Sequence, residues 1–432
     1  MPRPTLVFCL ILSFISLSRA AEVYVTPEGA GPKDGSSWDA AHDAGSLLEV
    51  VTALKPGDTL LLGGGTYAQT SLNINVSGSD AAPITIRGVD RGAGLPTFTH
   101  TWTIDDPSKG ATAIRLSDEA SHVAIENLRI DGYRTGIFAD DTSAAQSRTN
   151  LTFRGIDVTH CRYGFYLSDC DDLLIEDCDL VRYSKHGYRL EQGCDRVVFR
   201  RCLADCSQGD AEWEKHTELL PFGFNINNGG RPSSHITFED CTAVNNMMPL
   251  QKNRYKNGDG FVIEGNTTNV TFVRCRGIRN QDAGYDLKVD DVQLTDCVAI
   301  GNGRQLRIWT TATIENCYFG YGGTGLWSNG GPVTATRCTF YDLSVAAMTD
   351  DRAKLPITLT DCVIANCRTT KRQTASGGGA TLEETLVVQP QEKVKPAEKP
   401  ATRPIPPWDG TGQPTAPETV PDKGYQAVAV PE

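Results

Sequence analysis

"IEDC" at Ile175–Cys178, "FRRC" at Phe199–Cys202 and "FEDC" at Phe238–Cys241 repeat one pattern: an apolar residue, two polar residues and a cysteine. The pattern returns as "FVRC", "LTDC", "IENC", "ATRC" and a second "LTDC", and upstream without the thiol as "IENL" and "FRGI". Its cysteines are Cys178, Cys202, Cys241, Cys275, Cys297, Cys317, Cys338 and Cys362, mostly 20 to 24 residues apart with two longer gaps. A period in the low twenties marks a solenoid, whose units bury their apolar residues only by stacking on one another.

Every unit also carries a second alternating segment: "YGFYL", "HGYRL", "FGFNI", "DGFVI", "AGYDL", "RQLRI" and "TGLWS". Side chains alternate across a strand, so Phe165, Tyr188, Phe224, Phe261, Tyr285, Leu306 and Leu326 share the inward face. Asparagine, glycine and aspartate punctuate the turns, and no segment has a convincing helical period. The fold class is therefore all-β, a parallel β-helix of about ten or more coils set ~4.8 Å apart. "SLLEVVTAL" (46–54) reads as a short amphipathic helix capping the open N-terminal end.

Three segments follow from composition. Residues 1–20 have a basic start, an apolar run and a small-x-small end, the pattern of a secretory signal. The β-helix is expected over 21–388, and 389–432, which hold ten of the 23 prolines, read as a disordered tail. The expected product is secreted or periplasmic, without a membrane span, and monomeric. A net charge of −12 argues against a nucleic-acid partner. Of fourteen cysteines, thirteen remain once Cys9 leaves with the signal, an odd number recurring mainly at one repeat position, so a ladder of free thiols is expected rather than disulfides or a metal site.

The outward positions of the second segment give, coil by coil, Tyr166, Arg189, Asn225, Val262, Asp286, Arg307 and Trp327. Two residues further along, the column reads Ser168, Glu191, Asn227, Glu264, Lys288, Trp309 and Asn329. Charged and aromatic groups converge near Asp286, beside two lengthened coils (203–222 and 242–260) placed to wall a groove. Arg189, Asn225, Trp309 and Trp327 are the candidate substrate contacts.

Here the residues resemble a family: the right-handed parallel β-helix polysaccharide lyases, most closely the family nine pectate lyases. "GDGF" supplies Asp259 and "DAGYD" supplies Asp282 and Asp286, and "VYVTPEG", "KPGDT", "GTY" and "PITIRG" are similar to phrases that open such chains. The resemblance implies a carbohydrate-active lyase on an acidic polysaccharide such as pectate, with Asp259, Asp282 and Asp286 binding Ca²⁺ and a nearby base removing the C5 proton. Hard oxygen ligands suit that ion. Two positions depart from the family pattern: Ala283 replaces a fourth aspartate, and Arg307 stands where the family has its lysine. Arg307 is the first candidate base and Lys288, nearer a usable pKa, the second.

Two other readings stay open. A β-helix glycoside hydrolase needs paired carboxylates, but the G-D-D and G-H-G motifs of polygalacturonases are absent; a uronan epimerase would share the C5 proton abstraction. A non-catalytic carbohydrate-binding or surface protein would account for Ala283 and Arg307, yet would not need the charged groups to stay together.

Overall fold

The repeat becomes a set of parallel ladders running along one axis. The structure, a computed structural model, describes residues 20–140, 147–251, 255–374, 376–388 and 424–426. The expected signal segment up to residue 19 and most of the Pro-rich tail lie outside the described residues.

In the first ladder, successive coils follow in register from Val23 through Leu60, Ile86, Ile125, Phe153, Ile175, Phe199, Phe238, Phe272, Leu294, Ile314, Ala335 and Leu359 to Leu382. The coil number thus meets the expectation. In the second ladder Ile114, Ile137, Phe165, Tyr188, Phe224, Phe261, Tyr285, Leu306 and Leu326 stack in the order the alternation predicts. All of them are fully buried.

Aromatic rings fill the mid-section. Tyr188, Phe224, Phe261 and Tyr285 stack with centroid steps of 4.6, 4.9 and 4.8 Å, the spacing of neighbouring strands. Phe199, Phe238 and Phe272 form a second stack at 4.9 and 4.8 Å. The two stacks meet edge to face, as at Phe224 and Phe238, and each such pair adds roughly 0.5–1.5 kcal/mol beyond area burial.

The cysteine column is structural, as expected. Thirteen cysteines are free and buried. Each thiol of the column points back to a nearby carbonyl, as Cys178 Sγ does to the Glu176 oxygen at 3.3 Å and Cys275 Sγ to the Val273 oxygen at 3.4 Å. Burial pushes the Cys170 and Cys367 thiols up to about 12, so these two are poor nucleophiles.

The residue before each column cysteine has a positive φ of 49° to 58°: Asp177, Arg201, Asp240, Arg274, Asp296, Asn316, Arg337 and Asp361. Asparagine and aspartate tolerate this left-handed corner, but arginine does so at a cost. Stacking offsets part of it. Arg201 donates to both oxygens of Asp177 one coil away (2.6 and 2.8 Å), and Arg274 does the same to Asp240 (2.7 and 2.8 Å).

The N-terminal cap is a helix, Leu47–Ala53, that puts Leu47, Val50 and Val51 into the common core. Among the described residues no helix is long and apolar enough to cross a membrane. Three tail residues, Gly424 to Gln426, lie against the solenoid flank, where the Tyr425 amide donates to Thr339 Oγ1 at 2.9 Å.

Candidate active site

Outward side chains of three successive strands, Asp259–Val273, Ala283–Leu287 and Arg304–Ile308, build the site. Register places Val262 beside Asp286, Asp286 beside Arg307, and Arg307 beside Trp327 on the strand Tyr318–Ser328. A buried amide ladder fixes the preceding corners: Asn246 Nδ2 donates to Asn280 Oδ1 (2.8 Å), Asn280 Nδ2 to Asn302 Oδ1 (3.0 Å), and Asn302 Nδ2 to Gln305 Oε1 (2.8 Å). Asn280 and Asn302 lie two residues before Asp282 and Arg304, so the ladder sets where those side chains leave the helix.

The three aspartates do come together, and they are buried although they face away from the core: Asp259 2%, Asp282 5%, Asp286 2% exposed. The Asp259 Oδ1 accepts the Ala283 amide at 2.6 Å. Asp282 is held by Arg304, by Arg307 Nη1 at 3.1 Å and by the Tyr255 hydroxyl at 3.2 Å. Asp286 Oδ1 accepts from Trp309 Nε1 at 2.6 Å, and its Oδ2 faces Arg307 Nη1 at 3.2 Å and Lys288 Nζ at 3.3 Å. Lys288 Nζ also donates to Glu264 Oε2 at 2.6 Å.

Electrostatics follow from these contacts. Burial, reinforced by the charges of Asp286 and Asp282, holds the Asp259 carboxyl well above the usual range. Burial opposes the charge of Arg307, but Asp286 and Asp282 outweigh it and raise its pKa. Lys288 behaves alike: desolvation lowers its pKa, while Asp286 and Glu264 overcome that and raise it. Arg307 lies flanked by two indoles, 5.1 Å from the Trp309 ring and 5.3 Å from the Trp327 ring. Its Nε is buried and has no hydrogen-bond partner among the described residues.

A cavity of about 440 Å³ opens beside this cluster, lined by Phe222, Tyr255, Asn257, Asp259, Val262, Glu264, Asp286, Lys288, Arg307 and Trp309. The matching sequence model is that of a family described as Pel9A-like, right handed beta helix region, and it covers residues 23–349. The chain belongs to this Pel9A-like family. Its winding is therefore right-handed.

Solved structures show the same fold at low identity. Pectate lyase Pel9A is 15% identical, over 86% of this chain and 80% of that one, with a TM-score of 0.43. The A-module of mannuronan C-5 epimerase AlgE6 from Azotobacter vinelandii is 14% identical, over 78% of this chain and 92% of that one, at 0.55. The catalytic domain of a GH87 α-1,3-glucanase is 12% identical, over 79% and 66%, at 0.51. No match was found among curated proteins.

Several site residues of this Pel9A-like chain differ in placement from the sequence expectation. Among the described residues no three acidic, histidine or cysteine side chains form a group able to hold a metal ion. The reason is local: guanidinium, ammonium, indole and backbone donors already engage the aspartate oxygens, so Asp259, Asp282 and Asp286 as placed do not fit calcium. Trp327 is only 7% exposed, so it backs Arg307 rather than offering a face to sugar, whereas Trp309 lines the cavity. Arg189 lies outside the cavity, over the Tyr166 ring at 5.1 Å and bonded to Glu191 and, at 3.4 Å, to Asn225. Asn225 is buried, with its Nδ2 unpartnered among the described residues.

Of the two lengthened coils, 242–260 walls the cavity through Tyr255 and Asn257. The other contributes only Phe222. Its short helix Ala211–Glu214 turns away, and Glu214 pairs with Arg279 at 2.6 Å. Sequence reasoning did not select Tyr255, Glu264 or Arg304. Glu264 stood in the correct outward column and Arg304 opens "RQLRI", so both had a positional signal; Tyr255, inside an insertion, had none.

Proposed function

We propose that this chain is an exported enzyme that cleaves an acidic, uronic-acid-containing polysaccharide by β-elimination. One observation carries the reading: Arg307 and Lys288, two cations embedded among carboxylates, face one cavity, and Arg307 keeps an unpartnered buried Nε. A uronate carboxylate seated there meets donors suited to it, and a buried N–H without a partner is costly to leave unmade. Neutralising that carboxylate acidifies the C5 proton, because the negative charge of the transition state spreads onto it.

Arg307 takes the electrostatic role, since a guanidinium is far harder to deprotonate than an ammonium. The base is then Lys288, which reverses the order that sequence alone gives the two. A bound chain expels water, and loss of water disfavours an ion pair against its neutral form. Lys288 therefore passes a proton to Glu264 across their 2.6 Å contact. The free amine takes the C5 proton, the electron pair becomes the C4=C5 bond and the C4–O4 bond breaks. Glu264 returns its proton to O4, so Lys288 ends as ammonium, Glu264 as carboxylate, and no water is consumed.

Upstream of the cavity the outward column continues in register as Arg115, Phe138, Tyr166, Arg189 and Asn225. Arg115 lies over the Phe138 ring at 4.6 Å and Arg189 over Tyr166 at 5.1 Å. Two aromatics flanked by two cations along the axis support an elongated anionic ligand over a small molecule.

The test is the ultraviolet absorbance of a C4=C5 unsaturated uronide over a panel of uronans. A rise with one of them that Lys288→Met lowers by ~10²-fold or more, with the fold intact, supports elimination and its base. Inverted C5 configuration without chain cleavage, read by proton NMR, would replace the lyase with an epimerase. Binding with no product of either kind would sink the catalytic reading in favour of a binding protein.

A further inference from the structure

We infer that Arg307 is the built-in counter-cation of the site: it neutralises the carboxylate cluster in place of calcium, and a calcium site appears only when its guanidinium is removed. The inference rests on the cluster's geometry and not on the reaction it performs.

Asp282 Oδ2 and Asp286 Oδ2 belong to neighbouring turns and both contact the same atom, Arg307 Nη1, at 3.1 and 3.2 Å. A metal ion bridging these oxygens would have to sit where that nitrogen is. Calcium needs six to eight oxygens at roughly 2.3–2.6 Å, and here one oxygen of each aspartate is already engaged by another donor. Asp282 Oδ1 goes to Arg304, Asp286 Oδ1 to the Trp309 indole and Asp259 Oδ1 to the Ala283 amide. Ala283 itself brings a buried methyl group rather than another carboxylate.

Asp282, Asp286 and Glu264 pair with Arg304, Arg307 and Lys288, three anions against three cations. A divalent ion added to that set gains little Coulomb energy and must displace a guanidinium. That guanidinium is anchored by its stem: Arg307 is 7% exposed and packed against Trp309 and Trp327, so it cannot swing out without opening the indole pair. Removing its charge reverses the balance and leaves Asp282 and Asp286 facing the same vacated point.

The experiment is calcium titration of the full chain by calorimetry, with thermal unfolding in chelator and in millimolar calcium. For the native sequence the expected result is no saturable site and no shift of the unfolding midpoint. Arg307→Met, which keeps an apolar stem between the indoles, is expected to acquire a saturable one-to-one calcium site and to gain stability with calcium concentration, as binding to the folded state alone requires. Should that variant not fold, Arg307→Gln carries the same comparison, and the native titration stands alone as a test. A one-to-one site in the native protein that Asp286→Ala removes would overturn the inference. So would a folded Arg307→Met variant that ignores calcium. Neither result depends on turnover, so failure of the lyase reading is recognised separately by an absent product.

Discussion

The solenoid carries aspartate–arginine pairs in two kinds of place, and the two sets live in different physics. At the corner before the cysteine column, Arg201 pairs with Asp177 in near half-exposed positions (side chains 44% and 45% exposed). On the second ladder, Arg307 pairs with Asp282 and Asp286 with side chains 9%, 7% and 3% exposed. Stacking at strand spacing forces like positions together in both, so opposite charges must alternate between coils. In the open set Arg201 donates to Asp177 and also to Glu176 at 2.8 Å, with its own side chain 44% exposed. In the closed set a single guanidinium serves two carboxylates, keeps one N–H unpartnered and borders a cavity. Identical residue chemistry is scaffold in one place and a candidate site in the other because burial changes what an unmet charge costs.

Removing one arginine from each set has the largest expected effect. Arg307→Ala leaves two buried carboxylates without their shared cation and is expected to cost about 3–5 kcal/mol. Arg201→Ala removes a 44% exposed guanidinium from Asp177 and from Glu176, which keeps Arg154 and Arg200, and is expected to cost no more than about 1 kcal/mol. Denaturant midpoints of the two variants against the native chain decide it, and equal losses would mean that burial does not separate the sets. A double-mutant cycle sharpens the result: coupling between Asp286 and Arg307 should survive half-molar salt, whereas coupling between Asp177 and Arg201 should largely disappear.

Titration gives opposite signs in the two environments. Asp259 is held above the ordinary carboxyl value of 3.8 by burial and then by Asp286 and Asp282. The folded state keeps a proton that the unfolded state releases, so this carboxyl's contribution to stability is complete below that value and lost as pH rises toward its folded pKa. Asp259→Asn should therefore gain on the native chain between pH 4 and pH 8, by a few degrees in unfolding midpoint. Asp172, on the exposed side, is bonded to Arg196 and Thr149 and held below 3.8, the Arg196 contact being the largest cause. Its contribution is present above the ordinary value and lost as pH falls through the folded one. Asp172→Asn should thus cost stability at pH 7 and almost none at acid pH. Parallel pH profiles for the two variants would contradict the burial argument.

How much of this could be read from the chain alone follows the same division. The core columns were legible because period-two alternation inside a fixed coil length leaves one register: Phe224, Phe261 and Tyr285 could stack in only one way, and they do. The outward column through Asp286, Arg307 and Trp327 was legible for the same reason. What the column could not carry is the third dimension. Nothing in "QLRI" says that Arg307 reaches back to two aspartates instead of out to solvent, or that Trp327 closes over it. Tyr255 was invisible because insertions have no register to inherit. The left-handed corner before each cysteine was present in the letters, since Asp177, Asp240, Asp296, Asn316 and Asp361 are residues that favour it, but the eye is drawn to the thiol.

That corner supplies the smallest and most discriminating expectation. Arg201 and Arg274 sit at φ of 50° and 53°, where a long side chain gains nothing from local hydrogen bonding and asparagine does. Replacing either with asparagine relieves backbone strain of order 1 kcal/mol and forfeits an ion pair. For Arg201 the Asp177 pair is near half exposed and worth at most about 1 kcal/mol, and its other partner, Glu176, keeps Arg154 and Arg200, so Arg201→Asn is expected within ~0.5 kcal/mol of neutral. For Arg274 the pair is more enclosed, its side chain 27% exposed and that of Asp240 only 10%. The forfeited term is larger there, and Arg274→Asn should be measurably destabilising where Arg201→Asn is not. Two substitutions of one type at one repeat position, one in a more open setting than the other, then report the gradient between scaffold and site. If both prove neutral, enclosure at this corner is too slight to matter, and the contrast with Arg307 belongs to the cavity alone.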